Sequence, residues 1–299
     1  MTIDRRSFLT STLALTGLAT LAAPKIKKAR VPLQLYSVRD DMKNDPLGTL
    51  KAVAKMGYKD VEPAAYLSDD VYTSRKIYGQ TAKDLRKIMD DLGMKVPTSH
   101  VVLQKNHYNE TTKDITDIWK AVIEDAQTLG QEYIITPWFP WDKTNLDDTR
   151  KGFDVFNKVG EICQKAGLRF GFHNHHQEFE QKFNGQYLYD IMLKELDLKY
   201  VCQQLDICNM VEAKVNPMRW LKLFPKHFEL LHVKDRNIAK GESTTLGDGG
   251  LDIKGILAYS KIHSPIKYWV IEQESYDGKA PLDCVKTDLI RIQQHGFKV

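Results

Sequence analysis

Short runs rich in β-branched and aromatic residues alternate with amphipathic helical stretches along almost the whole chain. The strand candidates are VPLQLYSV (31–38), DVEPA (60–64), KVPTSHV (95–101), YIITPWF (133–139), LRFGFHNH (168–175), VCQQLDIC (201–208), FELLHVKD (228–235) and YWVIEQE (268–274). Between them, PLGTLKAVAKMG (46–57), TAKDLRKIMDDLG (81–93), ITDIWKAVIEDAQTLG (115–130) and FDVFNKVGEICQKAG (153–167) repeat apolar residues at helical spacing and end in glycine. That spacing marks one face of a helix, and glycine adopts the left-handed conformation that closes one. Strands separated by helices pair in parallel, because each crossover returns the chain to the same end of the sheet. Eight such units predict an α/β fold, a single-domain (β/α)8 TIM barrel. A doubly wound open sheet is the alternative, but no glycine-rich phosphate fingerprint follows the first strand.

The first residues stand apart from this alternation. Asp4-Arg5-Arg6-Ser7-Phe8-Leu9 sets a twin arginine before an apolar pair, and a mildly hydrophobic stretch runs on to Ala23. A charged segment followed by a short apolar one is the layout of a secretory signal, and the twin arginine specifies the Tat route. The stretch falls short of the about 20 apolar residues that a spanning helix needs. No cysteine stands near Ala22 or Ala23 to carry a lipid. Residues 1–23 are therefore expected to be a Tat-type signal peptide, 24–30 a basic linker with Lys25, Lys27, Lys28 and Arg30, and 31–299 the barrel. The expected location is the periplasm, without a stable membrane anchor.

Charge and cysteine content narrow the partners. A formal charge of +4 over 299 residues is too slight for a nucleic-acid-binding surface. Cys163, Cys202, Cys208 and Cys284 show no paired spacing. Cys202 and Cys208 fall on one expected strand, too far apart along it to bond. Folding in a reducing cytoplasm before Tat export lowers the need for disulfides, so buried free thiols are expected.

Strand parity then sorts the side chains. Alternate residues of a strand point to opposite faces, and in a barrel the bulky apolar set meets the helices while the other set meets the axis. With Phe170 and Phe172 toward the helices, Gly171, His173 and His175 point inward and Asn174 looks away. The same rule turns Gln204 and Asp206, His232 and Lys234, and Val270, Glu272 and Glu274 toward the axis on the next three strands. It does so for Gln34, Tyr36, Glu62 and His100 on the first three. Enzymes built on this fold keep their active sites at the C-terminal ends of the strands.

His173, Asp206, His232 and Glu272 lie on four consecutive strands, 33, 26 and 40 residues apart. Two imidazoles and two carboxylates form a donor set suited to one divalent ion, Mn, Zn, Co or Fe, with positions left for substrate oxygens.

LQLYSVRD (33–40), HNHHQEF (173–179), LDICN (205–209), LHVKD (231–235), LGDGGLD (246–252) and VIEQE (270–274) together resemble the xylose isomerase-like superfamily of metal-dependent barrels. That group includes sugar isomerases, ketose 3-epimerases, inosose dehydratases and endonuclease IV relatives. The resemblance implies a metal held by a carboxylate from the fifth strand, an aspartate from the sixth, a histidine from the seventh and a glutamate from the eighth. Asp206, His232 and Glu272 match the last three. His173 stands where the group carries its fifth-strand glutamate, as in a sugar phosphate isomerase/epimerase-like subgroup with an H-N-H signature. His173, His175 and Glu178 are the candidates for that ligand.

The resemblance also implies a mechanism. Ketose epimerases of the group use the fifth- and eighth-strand glutamates as two bases, one on each face of the substrate carbon. A histidine in place of one weakens the case for two-base epimerisation. An enediolate route survives, with a divalent ion polarising a carbonyl and a base taking the neighbouring proton. Glu272 is the base the resemblance points to. Glu62, His100 and His175 are further catalytic candidates, and Lys234 is suited to neutralising an oxyanion.

Reprotonation would make the protein an isomerase or epimerase; expulsion of a β-substituent would make it a 3-keto-glycoside lyase or hydrolase. A non-catalytic sugar-binding barrel is the third reading. Export removes the chain from cytoplasmic sugar phosphates, so a non-phosphorylated keto- or aldo-sugar is the expected small-molecule partner. Gln34, Tyr36, Trp138, His175, Glu178 and Lys234 are candidate substrate contacts. Trp138 and Trp141, with Phe139 between them, follow the fourth strand and suit either stacking on a pyranose face or packing over the rim. Gly247-Asp248-Gly249-Gly250 suits a mobile loop or a phosphate cradle, although no P-loop lysine follows. A homo-oligomer is compatible with each reading.

Overall fold

The computed structural model describes residues 30–297. The twin-arginine segment, and Lys25, Lys27 and Lys28 of the expected linker, lie outside the described residues. Arg30 belongs to the base of the barrel. It bridges to Tyr268 as a strand residue, its guanidinium pairs with Asp60, and it donates to the Tyr268 hydroxyl at 2.8 Å.

Eight strands form the barrel. They are β1 (Leu33–Gln34), β2 (Val61–Glu62 and Ala64–Tyr66), β3 (Thr98–Val101), β4 (Tyr133–Thr136), β5 (Arg169–His173), β6 (Val201–Asp206), β7 (Phe228–Val233) and β8 (Tyr268–Ile271). Every pairing is parallel. The order runs from the first segment of β2 through β1, β8, β7, β6, β5, β4 and β3 to its second segment. One strand thus supplies both edges of the sheet and closes it. The break falls at Pro63, which has no N–H to give the ladder but whose carbonyl accepts from His100 N at 2.9 Å.

A helix follows each strand: α1 (Pro46–Met56), α2 (Ala82–Asp91), α3 (Asp117–Leu129), α4 (Leu146–Lys165), α5 (Leu188–Glu195), α6 (Pro217–Leu223), α7 (Ile253–His263) and α8 (Pro281–Gln294). Local chemistry sets several ends. Asp45 caps α1 ahead of Pro46, Asn145 caps α4, and Gly57 closes α1 at φ 115°. No described helix is long and apolar enough to cross a membrane.

Several strands stop earlier than their composition suggests. β1 ends at Gln34 because Leu35–Val38 winds into a 3₁₀ turn, and β4 and β8 end at Thr136 and Ile271. β6 ends at Asp206, whose carboxylate accepts from Asn209 N at 2.8 Å and so caps a helix over Ile207–Glu212. Cys208 therefore sits in that helix and not on a strand with Cys202. All four cysteines are buried and free.

The barrel interior is layered. Tyr133, Ile135, Cys202, Leu230, Tyr268 and Val270 form an apolar plug on the axis. Gly171 belongs here, since a Cβ at this position would meet Cys202 Sγ and Ile135 Cδ1 at 2.7 Å. Two residues further along β6, β7 and β8 the axis turns polar, one side-chain layer higher.

Candidate active site

Adjacent strands bring the polar layer together by register. Gln34 stands opposite Glu62, His173 opposite Gln204, and Asp206 opposite His232. Glu272 follows Ile271, which pairs with Val233, so it reaches the axis beside Lys234.

At the floor lies Glu62, with no exposed surface. Its carboxylate accepts from Gln34 Nε2 (2.8 Å), His232 Nε2 (2.7 Å), Thr98 Oγ1 (2.8 Å) and Gln204 Nε2 (2.7 Å), and His100 Nε2 lies 3.2 Å away. Burial alone would raise its pKa, but His100 and His232 bring it below the ordinary value. Glu62 and Gln34 do not line the cavity above. Glu62, expected as a base, and Gln34, expected as a substrate contact, hydrogen-bond to each other and to the layer they support.

Because the Gln204 amide nitrogen donates to Glu62, its oxygen faces the histidines, 2.7 Å from His100 Nε2 and 3.0 Å from His173 Nδ1. That network assigns the tautomer of His173, with a proton on Nδ1 and a lone pair on Nε2. The lone-pair nitrogen lies 3.8 Å from Asp206 Oδ2. Burial, followed by the neighbouring imidazoles, holds the pKa of His173 well below the usual histidine value, so the ring is neutral. Burial lowers His100 and His175 as well.

Asp206 Oδ2, His232 Nδ1 and Glu272 Oε2 converge on one point. Such atoms from the three residues all lie within 4.8 Å of one another, with His232 Nδ1 3.1 Å from Glu272 Oε2 and 3.9 Å from Asp206 Oδ2. Asp206 Oδ2 is buried and makes no well-aligned hydrogen bond, with the Lys234 ammonium beside it. His100, His173 and His232 form a second possible metal-binding group, but Nε2 of His100 and of His232 is already committed to Gln204 and Glu62. The first group, with His173 Nε2 beside it, is the better fit to a divalent ion, because it mixes nitrogen and oxygen donors and its His232 Nδ1 is not committed to the layer below.

Lys234 completes the electrostatics. Its ammonium, 2% exposed, lies 3.0 Å from Asp206 Oδ2, 2.9 Å from Glu272 Oε2 and 2.6 Å from Glu274 Oε1. Burial opposes its charge, but Asp206, Glu272 and Glu274 hold its pKa well above the ordinary lysine value. His232 behaves likewise: burial is overcome by Glu272 and Glu62, and its pKa rises to about 10. Glu272 shifts the other way, with burial outweighed by Lys234 and His232, and its carboxyl sits well below the usual range. The carboxylates of Glu62, Asp206, Glu272 and Glu274 thus surround only two basic side chains, His232 and Lys234. A divalent ion in place of the His232 proton would add positive charge among these carboxylates.

Above the cluster opens a cavity of about 500 Å³. It is lined in part by His100, His173, His175, Lys234, Glu272 and Glu274, and by Tyr36 and Trp138 at half-exposed positions. Gln104, Leu67 and Asn209 also line it. Gln104 and Leu67 sit on loops where no periodicity points anywhere, and Asn209 enters from the short helix after β6.

Three other candidates are placed elsewhere. Glu178 is buried on the short helix Gln177–Glu180, accepting from His175 N at 2.8 Å and pairing with Lys143 Nζ at 3.0 Å. It does not line the cavity, and its carboxylate is held by the His175 amide and Lys143. Trp141 is buried against Phe139 and Phe156, at 5.3 and 5.8 Å between ring centroids, which leaves Trp138 alone to meet a sugar. The Gly247–Gly250 loop is no phosphate cradle. Its amides at Gly247 and Gly249, with Leu251 N, already converge on the Asp235 carboxylate at 2.8, 3.2 and 3.2 Å. A Cβ at Gly249 would fall 2.1 Å from that carboxylate, so glycine is needed for the wrap.

Known proteins share this architecture. A solved structure of a sugar phosphate isomerase/epimerase from Parabacteroides distasonis is 27% identical with a TM-score of 0.75, covering 95% of this chain and 99% of that one. Two more distant structures show the same fold. L-ribulose 3-epimerase is 13% identical (TM-score 0.65, 89% and 94% covered), and 3-keto-D-glucoside 4-epimerase from E. coli is 14% identical (TM-score 0.64, 89% and 100% covered). No curated protein sequence matches. The family profile described as xylose isomerase-like TIM barrel matches residues 50–264, well over half of the sequence. The chain belongs to the xylose isomerase-like TIM-barrel family.

Proposed function

We propose that the protein is a divalent-metal-dependent sugar isomerase or epimerase that removes a proton next to the carbonyl of a non-phosphorylated keto- or aldo-sugar. The observation that carries this reading is the meeting of Asp206 Oδ2, His232 Nδ1 and Glu272 Oε2, with His173 Nε2 3.8 Å from Asp206 Oδ2, beneath an open, polar cavity. These four residues would hold the ion, which when bound would polarise the substrate carbonyl and lower the cost of enediolate formation. Glu62 holds His232 by its far nitrogen and presents Nδ1 to the site. Glu272, kept ionised by Lys234 and His232, is a carboxylate able to accept a proton. Lys234 offers a fixed cation beside any oxyanion that develops. Trp138 gives a sugar ring an exposed aromatic face, with the Lys143 ammonium 5.1 Å from its centroid. The filled Asp235 nest supports a substrate without phosphate. The twin arginine supports Tat export to the periplasm.

A keto-glycoside lyase is the second reading, and one observation favours it. The carboxylates lining the cavity, Glu272 and Glu274, both come from the end of β8. Two-base epimerisation needs bases on opposite faces of the carbon, whereas elimination needs one base and a leaving group. Incubation of metal-loaded protein with a 3-keto-glucoside in D2O separates these outcomes. Exchange of the α-proton without loss of the aglycone supports the isomerase, and release of the aglycone supports the lyase. Absence of exchange across a panel of keto-sugars contradicts both.

A further inference from the structure

Beside the cavity over the cluster lies a second one of similar size, about 500 Å³. The two share Tyr36, Ala64 and Leu67, so they are chambers of one cleft. The second is built from the segments after β1 and after β2, on the face where barrel enzymes bind their ligands.

Its chemistry differs from that of the first. Leu35, Met42, Val71 and Tyr78 supply apolar surface, Arg39, Lys43 and Lys76 supply charge, and its lining includes no carboxylate. Among the described residues no ion pair to a carboxylate within 4.0 Å involves Lys43 or Lys76. The junction is a held element: Arg39 lies 4.9 Å from the centroid of the Tyr36 ring and donates to the Tyr276 hydroxyl at 2.8 Å. Tyr36 and Leu67 are each 39% exposed there, open to a molecule that spans both chambers.

A free monosaccharide reacting over Glu272 would occupy the first chamber and leave the second as bare apolar surface among uncompensated cations. We infer that the second chamber binds the other half of a conjugated sugar: an aromatic group bearing a carboxylate, joined by a glycosidic bond that passes between Tyr36 and Leu67. Apolar walls recognise the ring and the lysines recognise the acid. The inference rests on the sugar reading of the first chamber, yet the second chamber can be tested without it.

The probes are 4-hydroxybenzoate alone, phenyl β-glucoside and 4-carboxyphenyl β-glucoside, measured by NMR titration against the full barrel and a Lys43→Gln, Lys76→Gln double variant of verified fold. The chamber predicts saturable 4-hydroxybenzoate binding that the double variant loses. It also predicts that the carboxyphenyl glucoside binds at least about tenfold tighter than the phenyl glucoside, a gap that closes in the variant. Failure of 4-hydroxybenzoate to bind, or equal binding to the variant, overturns the inference. Complete displacement by an equal concentration of inorganic phosphate also overturns it, because the site would then be a simple anion site. Binding of 4-hydroxybenzoate without either glucoside would instead count against the sugar reading of the first chamber and leave the second standing.

Discussion

Glu62 Oε1 stands 2.7 Å from His232 Nε2, and neither residue has any exposed surface. The carboxylate fixes the ring so that Nδ1 alone faces Asp206 and Glu272. Partners of this kind orient a metal-binding histidine and raise its basicity, and losing one costs about 10–100-fold in metal affinity. Glu62→Gln keeps the shape but removes the charge. Calorimetric titration of metal-stripped protein with Mn²⁺ or Zn²⁺ should show a loss in that range, with a cooperative unfolding transition retained. Unchanged affinity would show that Glu62 plays no part in orienting the ligand.

Lys234 touches the same two oxygens, Asp206 Oδ2 and Glu272 Oε2, that a divalent ion would use. Glu274, 2.6 Å from the ammonium, offers it an alternative partner when an ion arrives. Lys234→Met therefore has opposite effects on the two states. Metal-free protein should lose about 3–5 kcal/mol, because buried carboxylates are left without their cation. Divalent metal should raise the melting temperature of the variant by more than it raises that of the wild type. A thermal-shift series with and without Mn²⁺ reads both effects, and an equal metal-induced shift in the two proteins would refute competition.

Asp288 on α8 is buried, accepts from Leu246 N through Oδ1, and has no partner for Oδ2. Burial, with Asp235 and Asp248 nearby, outweighs the Leu246 amide and Arg291, and raises its pKa to about 7. A carboxyl raised on folding favours the native state while protonated, so its contribution is complete at acid pH and is lost as pH climbs through about 7. A tenfold difference in proton affinity between the folded and unfolded chain is worth about 1.4 kcal/mol. Urea unfolding at pH 5 and at pH 8 should therefore show wild-type stability falling by a few kcal/mol relative to Asp288→Asn. Parallel behaviour of the two proteins would exclude this ionisation.

Much of the site was legible because strand period fixes which side chains face the axis. His173, Asp206, His232, Lys234 and Glu272 all arrive where parity puts them. Parity carries no information about height, so Gln34 and Glu62 read as cavity residues although they lie one layer below it. Nor does it continue past a strand end. Glu178 turns away on a short helix, and Trp141 packs beneath the rim because Phe139 and Phe156 offer it a hydrophobic seat. The wrapping of Asp235 by the 247–251 amides joins a strand end to a distant loop, a pairing no local pattern encodes. Gln204 was visible as an inward residue, but its bridging of two histidines needs the register between β5 and β6.

The central claim is that His173, Asp206, His232 and Glu272 hold one divalent ion. Elemental analysis of protein purified without added metal, beside the Asp206→Ala variant, tests it most directly. The wild type should carry about one equivalent of Mn, Zn, Co or Fe, and the variant close to none while remaining folded. A wild-type content below about a tenth of an equivalent that reconstitution does not raise, or full metal in Asp206→Ala, would contradict it.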